Sequence, residues 1–338
     1  MWFFFVVLKF IFYRLLPDQF FGRVSETIED LTGRTYLITG GNNGVGLATA
    51  VHLARMRPAR IILAVRNVEK GEKAKAEIVA ETGYTGKMEV WELELSSFAS
   101  VKAFGERANS ELERLDGAIL NAAYNGPDWN TTVDGWEYMI QVNLLATGFL
   151  GALLLPLLNK TTSLPQPLPD ATPIAPHLAL VGSSGQYIAR FPERSALHIL
   201  DALNDKKHSN IMDRYMTTKL LIILFARELA ALPLAQGVVV NVTDPGLCKS
   251  GLGRDFEMPP IAEKIYGTIV WPAAKGALNV TYSALRPTPP AAYVAVCQVR
   301  KYDAWVYTAE GQRVQKQLWK EASDLWRSVD PSVSQIIS

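Results

Sequence analysis

The chain has 338 residues, enough for one large domain or two small ones and for a sizeable core. Hydrophobic residues at 49% and charged residues at 20% exclude disorder and collagen-like order. Lys and Arg number 34 against 33 Asp and Glu, a net charge of +1, so there is no basic excess for phosphates and no nucleic-acid partner is expected.

Residues Met1 to Leu16 (MWFFFVVLKFIFYRLL) form the most apolar run, interrupted by Lys9 and Arg14. As a helix it would be about 24 Å long, short for a hydrocarbon core of about 30 Å. It lacks a basic start and a small-residue cleavage site, so it makes a poor signal peptide. Aromatics mixed with snorkelling bases suit a membrane interface, with Trp2, Phe3, Phe4, Phe5, Phe10 and Phe12 among acyl chains. The alternative is a terminal helix docked on the domain's own surface. The expectation is a membrane-associated protein, with residues 1–21 apart from a catalytic domain on the cytosolic side, the endoplasmic reticulum being one location; a cytosolic protein is the alternative.

Thereafter strands alternate with helices. TYLITG (35–40), RIILAV (60–65), KMEVWELE (87–94), GAILN (117–121), HLALVG (177–182) and GVVVNV (237–242) read as strands. Helices are expected near 44–57, 68–82, 99–114, 135–158 and 211–232. Near-continuous apolar strands with long crossovers predict an α/β doubly wound parallel sheet, a Rossmann fold with helices on both faces, in one domain over 33–338. The ligand crevice lies at the strands' C-terminal ends. Five prolines, Pro165, Pro167, Pro169, Pro173 and Pro176, mark a surface loop, and residues 186–210 form a second irregular stretch. Cys248 and Cys297 with four His give neither a disulfide framework nor metal-ligand spacing. The sequons at Asn130, Asn159, Asn241 and Asn279 read as chance matches, since two fall in core elements.

The first strand runs into Thr39-Gly40-Gly41-Asn42-Asn43-Gly44-Val45-Gly46 and then a helix. Glycines there allow a tight turn and close approach of backbone N–H groups to a pyrophosphate, although a lone turn of this kind can also be unliganded. The second strand ends at Val65 without the acid that binds ribose hydroxyls in many NAD sites; Arg66 follows, and a guanidinium can pair with a 2′-phosphate, or simply be solvated. Tyr215 and Lys219 are four apart, one helical turn, so an ammonium could lower the phenol's pKa for proton transfer at a carbonyl. Taken singly such a pair is a common accident. Asn121 and Gly182-Ser183-Ser184 end strands, Asp244-Pro245-Gly246 follows one, and Asn143 is polar within an apolar helix.

Together these residues resemble the short-chain dehydrogenases/reductases over about Gly33 to Val314: the Thr39–Gly46 motif, Asn121-Ala122-Ala123, Asn143, Ser184, Tyr215-x-x-x-Lys219 and Pro245-Gly246 stand in that family's order. The stretches 60–74 and 219–230 resemble its retinol-dehydrogenase-like and fungal secondary-metabolite branches. The resemblance implies Tyr215 as general acid/base, Lys219 tuning it and holding the nicotinamide ribose, Ser184 (with Ser183 as fallback) on the substrate oxygen, and Asn143 holding a relay water. It implies NADP(H) held by Gly40, Asn42, Asn43, Gly44, Val45, Gly46 and Arg66, with Glu94 near the adenine and Asn121 near its ribose. Gly246, Cys248 and Ser250 would cover the nicotinamide and phosphates. Ala123 replaces a usual Gly, Glu94 a usual Asp, and Ser250 a usual Thr; no catalytic position is lost.

The expected function is NADP(H)-dependent hydride transfer on a lipophilic alcohol or ketone, as in polyketide or terpenoid secondary metabolism. A retinol/sterol-type dehydrogenase, a nucleotide-sugar epimerase or dehydratase, and a non-catalytic NADP-binding membrane-tethered scaffold are the alternatives. Segments 186–210 and 251–281 are expected to shape the substrate pocket through Tyr187, Phe191, Leu197, Leu200, Phe256, Ile265, Tyr266 and Trp271, although each could equally be core. Pairing of long helices makes a homo-oligomer an open expectation.

Overall fold

The structure is a computed structural model and describes residues 2–168, 173–253 and 260–338. Met1, Pro169 and Phe256, and the side chains of Trp2, Phe3 and Phe4, lie outside the described residues.

Eight strands form one sheet in the order β3-β2-β1-β4-β5-β6-β7-β8. They are β1 (Thr35–Thr39), β2 (Arg60–Val65), β3 (Lys87–Glu92), β4 (Gly117–Leu120), β5 (His177–Val181), β6 (Val239–Asp244), β7 (Ala292–Ala295) and β8 (Gln298–Arg300). The first seven are parallel and β8 closes the edge as an antiparallel hairpin. Period-two alternation sorts side chains between two cores. Leu37, Ala118, Leu120, Leu178 and Leu180 face one, with Phe104, Phe149, Leu224 and Trp326 of its covering helices. Tyr36, Ile38, Ile119, Ala179 and Val181 face the other, with Ala50, Leu53, Ile78, Val280 and Ala284. Both faces are therefore covered, which is why the strands read as unbroken apolar runs.

The strand order reverses between β1 and β4, and a crevice opens beyond their carboxyl ends. The helix expected over 135–158 runs as Tyr138–Ile140, a π-helical turn Gln141–Leu145 and Ala146–Thr162, passing Pro156 without ending. Its register is consistent with Thr147 Oγ1 donating to the Val142 carbonyl at 2.8 Å, five residues back. Among the described residues it is the one helix long and apolar enough to cross a membrane, and 94% of its apolar 18-residue stretch is buried inside the fold. Of the four sequon asparagines, Asn241 and Asn279 are buried, at 0% and 1% exposure.

The N-terminal run is also helical, Trp2–Phe10 continued by a π-helical turn Ile11–Leu15 and by Leu16–Phe21. It docks on the domain's own surface. Arg14, expected to snorkel, instead donates to the Tyr187 hydroxyl at 2.8 Å and lies over that ring at 4.2 Å. Phe10, expected among acyl chains, turns inward, 6.4 Å from the Tyr187 ring centroid. Phe5, Phe12, Tyr13, Phe20 and Phe21 are exposed on its outer side.

Candidate active site

A cavity of about 700 Å³ extends from the glycine-rich turn to the start of the helix Ile211–Ala231. At its first end, Gly40 and Gly44 adopt left-handed backbone (φ +66° and +53°), and the helix Gly44–Arg55 begins with its N-terminal amides beside the cavity. A Cβ on Gly46 would come within 2.3 Å of the Gly40 carbonyl and 2.5 Å of Asn121 Nδ2, so only glycine lets helix and turn pack this closely. Asn43 precedes the helix without a side-chain capping bond, leaving its first amides for a ligand. A turn of this shape, feeding a helix N-terminus into a cavity, fits a pyrophosphate. Gly40, Asn42, Asn43, Gly44, Val45, Asn121, Gly246, Cys248 and Ser250 line the cavity. Asn121 is held there by its Nδ2 donating to the Thr39 carbonyl at 3.0 Å.

Arg66 and Glu94 lie outside this lining. Arg66 donates to the Tyr138 hydroxyl at 3.1 Å and stands 3.8 Å from Glu94, with a largely exposed side chain. Glu94 also accepts from the Ser96 amide at 2.9 Å.

At the other end, Tyr215 and Lys219 share one face of their helix. Lys219 is buried; its Nζ donates to the Val181 carbonyl at 2.8 Å and lies 5.6 Å from the Tyr215 ring centroid. The hydroxyl that meets the Tyr215 phenol belongs to Ser183. Ser184, expected on the substrate oxygen, instead turns its hydroxyl and amide to the Asp244 carboxylate. The difference arises because the chain leaves β5 into a 3-10 turn, Ser184–Ile188, with Ser183 as its extended first residue accepting from the Gly185 amide at 3.1 Å. Asn143, expected to hold a relay water, has its amide committed elsewhere. It accepts from the Tyr124 amide at 2.7 Å, donates to the Tyr124 carbonyl at 2.8 Å, and reaches Thr218 Oγ1 at 3.3 Å. It braces the segment after β4 and does not line the cavity.

Asp244 is the group that the sequence marked only as a strand end. It is buried at the end of β6, accepting from the Tyr293 hydroxyl and the Gly246 amide, each at 2.9 Å. Burial pushes its carboxyl above the usual range, against those hydrogen bonds. Burial also pulls Lys219 down to about 8, partly offset by Asp244. The Tyr215 phenol is pushed above its ordinary value of 10.0 by burial first and by Asp244 second; the Ser183 hydrogen bond opposes this. In the protein alone, then, burial dominates the phenol.

Both expected segments reach the cavity, 186–210 through Ile188 and 251–281 through Leu252 and Tyr266. Of the individual side chains expected there, Tyr266 alone among the described residues lines the cavity. Phe191 and Leu200 are core, Leu197 is 83% exposed, and Trp271 is buried behind Gly246. Tyr187 lines a second cleft with Arg194 and Trp305. The side chain of Ile265, like Phe256, lies outside the described residues. The wall also includes Val7, Phe10, Ile11 and Leu15 of the N-terminal helix, with Ile188, Met216 and Leu252.

A parallel sheet with a glycine turn at its switch point and a Tyr–Lys–Ser cluster across one cavity defines a dinucleotide-binding oxidoreductase class. Residues 34–163 match the family model described as short chain dehydrogenase. The chain is 38% identical over 274 residues to the short chain dehydrogenase sol3 of Alternaria solani, covering 80% of this chain and 92% of the relative. It is 31% identical to the short-chain dehydrogenase/reductase ffsI of Aspergillus flavipes, covering 90% and 89%. A short-chain dehydrogenase from Sphingobium yanoikuyae, solved in complex with NADPH, superposes with a TM-score of 0.54 at 20% identity, covering 72% of this chain and 81% of that one, and shares the fold. The chain belongs to the short-chain dehydrogenase/reductase family of oxidoreductases.

Proposed function

We propose that this protein is an NADPH-dependent reductase of a neutral, lipophilic ketone, of the kind met in secondary metabolism. The observation that carries the reading is the convergence of the Tyr215 phenol, the Ser183 hydroxyl and Lys219 on one cavity with the glycine turn. Bound there, NADPH would supply the hydride. Gly40 to Val45 would hold its pyrophosphate, Asn121 its adenosine ribose, and Gly246, Cys248 and Ser250 its nicotinamide end. Ser183 would donate to the substrate carbonyl oxygen, and the Tyr215 phenol would pass its proton to that oxygen. Lys219 would hold the nicotinamide ribose and restore charge balance beside the phenol.

The choice of NADPH is supported by β2, which ends in buried Val65 and is followed by exposed Arg66, whose guanidinium is suited to a 2′-phosphate. The choice of a neutral substrate is supported by the lining: Lys219 and Asp244 are its charged side chains among the described residues. Both sit at the catalytic end and are tied to protein groups. A charged substrate would find no further charged side chain on the described lining. The test is NADPH oxidation, followed optically, with a panel of neutral and charged ketones. Turnover is expected with neutral bulky ketones; turnover confined to charged ones would contradict the reading.

Membrane association is supported by the outer side of the N-terminal helix, where Phe5, Phe12, Tyr13, Phe20 and Phe21 are exposed beside Lys9. Binding of the full chain to phosphatidylcholine vesicles by co-sedimentation tests it. Loss of binding on replacing Phe12 and Phe21 by Ser is expected, and a full chain that stays in the supernatant would contradict it.

A further inference from the structure

The N-terminal helix lies outside the region matched by the family model, which begins at residue 34. Yet Val7, Phe10, Ile11 and Leu15 face the same space as Ser183 and Tyr215. Residues three and four apart share a helical face. The π-helical turn at Ile11–Leu15 adds a residue to the local turn and keeps Ile11 and Leu15 both on that face.

The seating of this helix is specific. Gln19 is 5% exposed. Its Nε2 donates to the Leu247 carbonyl at 2.8 Å and to the Ile269 carbonyl at 2.9 Å, and its Oε1 accepts from the Leu247 amide at 3.2 Å. Its backbone carbonyl accepts from Trp271 Nε1 at 2.6 Å. A buried amide with its donors and acceptor matched is costly to displace, because removal would leave backbone groups at Leu247 and Ile269 short of partners. Leu247 follows Gly246, whose left-handed backbone (φ +79°) lets it sit where a Cβ would meet the Trp271 ring at 3.1 Å. The segment Pro245–Ser250, opposite the glycine turn, is thus anchored by the helix that walls the substrate space.

We infer that the N-terminal helix is a substrate-specificity element of this enzyme: Phe10 and Ile11 set the size of ketone admitted above Tyr215, and Gln19 is a positioning residue that holds Pro245–Leu247 against the cofactor. The inference rests on the reading of the cavity as a joint cofactor and substrate site. It gives the apolar N-terminal run a catalytic use that is independent of any membrane.

The experiment compares full-length wild type with Phe10→Ala, Ile11→Ala and Gln19→Ala. The readouts are kcat/KM for cyclohexanone and for the bulkier 2-decalone, the KM for NADPH, and NADPH binding by fluorescence titration. The ratio of the two ketones and the KM for NADPH do not depend on the fraction of folded enzyme, so a merely structural role would move neither. Phe10→Ala or Ile11→Ala should shift the decalone-to-cyclohexanone ratio by about tenfold or more, the scale of a few methylenes in an apolar pocket. Gln19→Ala should leave that ratio nearly unchanged and weaken NADPH about tenfold, the scale of one or two lost buried hydrogen bonds. A ratio and an NADPH affinity unchanged in all three variants, with wild type active, would overturn this inference and leave the functional reading standing. A wild type that binds no NADPH would overturn both.

Discussion

The Ser183 hydroxyl lies beside the Tyr215 phenol at the cavity, while the adjacent Ser184 lies against the buried Asp244 carboxylate. Two neighbouring hydroxyls therefore have separate roles, one toward the reacting oxygen and one toward the base of the site. Ser183→Ala is expected to lower kcat roughly 100-fold, as loss of an oriented donor to a developing oxyanion does. Ser184→Ala should cost little turnover and about 1 kcal/mol of stability, because the buried carboxylate loses one of its polar neighbours. Steady-state kinetics and thermal melts of the two variants check this, and the opposite order of kcat losses would reverse the assignment.

The pH dependence has opposite signs for the two directions of reaction. The Tyr215 phenol is raised above 10.0, so it stays protonated and competent as an acid through neutral pH. Lys219 is lowered to about 8 and loses its charge as pH rises through that value. Ketone reduction should be level below about pH 7 and fall above about 8, while alcohol oxidation, which needs the phenolate, should rise over the same range. Profiles of kcat/KM in both directions measure this. Reduction that climbs steadily toward pH 10 would contradict it.

Arg66→Ala should weaken NADPH by about tenfold to a hundredfold and leave NADH nearly unchanged, the scale of charge-assisted hydrogen bonds to a phosphate. Fluorescence titration of both cofactors reads it directly. Equal weakening would mean that Arg66, already shared between Glu94 and Tyr138, serves only to join those elements.

Much of the parallel sheet and the cofactor turn is legible in the sequence because both depend on local pattern. Strands such as RIILAV and HLALV are apolar throughout, and glycines at 40, 44 and 46 are dictated by backbone shape and close approach. β7 and β8 are not legible. Each is short, and their connection places Val296 and Cys297 at φ +47° and +54°, where glycine or asparagine would have signalled a turn. Ser183 and Ser184 could not be separated from sequence, since the exit angle from β5 decides which hydroxyl faces the phenol. The apolar wall was equally hidden: Phe191 and Phe10 are alike in type, and only tertiary packing sends the first into the core and the second to the cavity. Gln19 did carry a signal, a lone amide beside Phe20 and Phe21, which must find partners when buried.

The most direct test of the proton-transfer role is Tyr215→Phe, which keeps the ring and removes the proton that the ketone oxygen must receive. NADPH binding should be largely kept while kcat for ketone reduction falls at least about 100-fold, within the range that general acid catalysis contributes. Near-normal turnover by that variant, with NADPH still bound, would contradict the assignment of Tyr215 as the acid of this site.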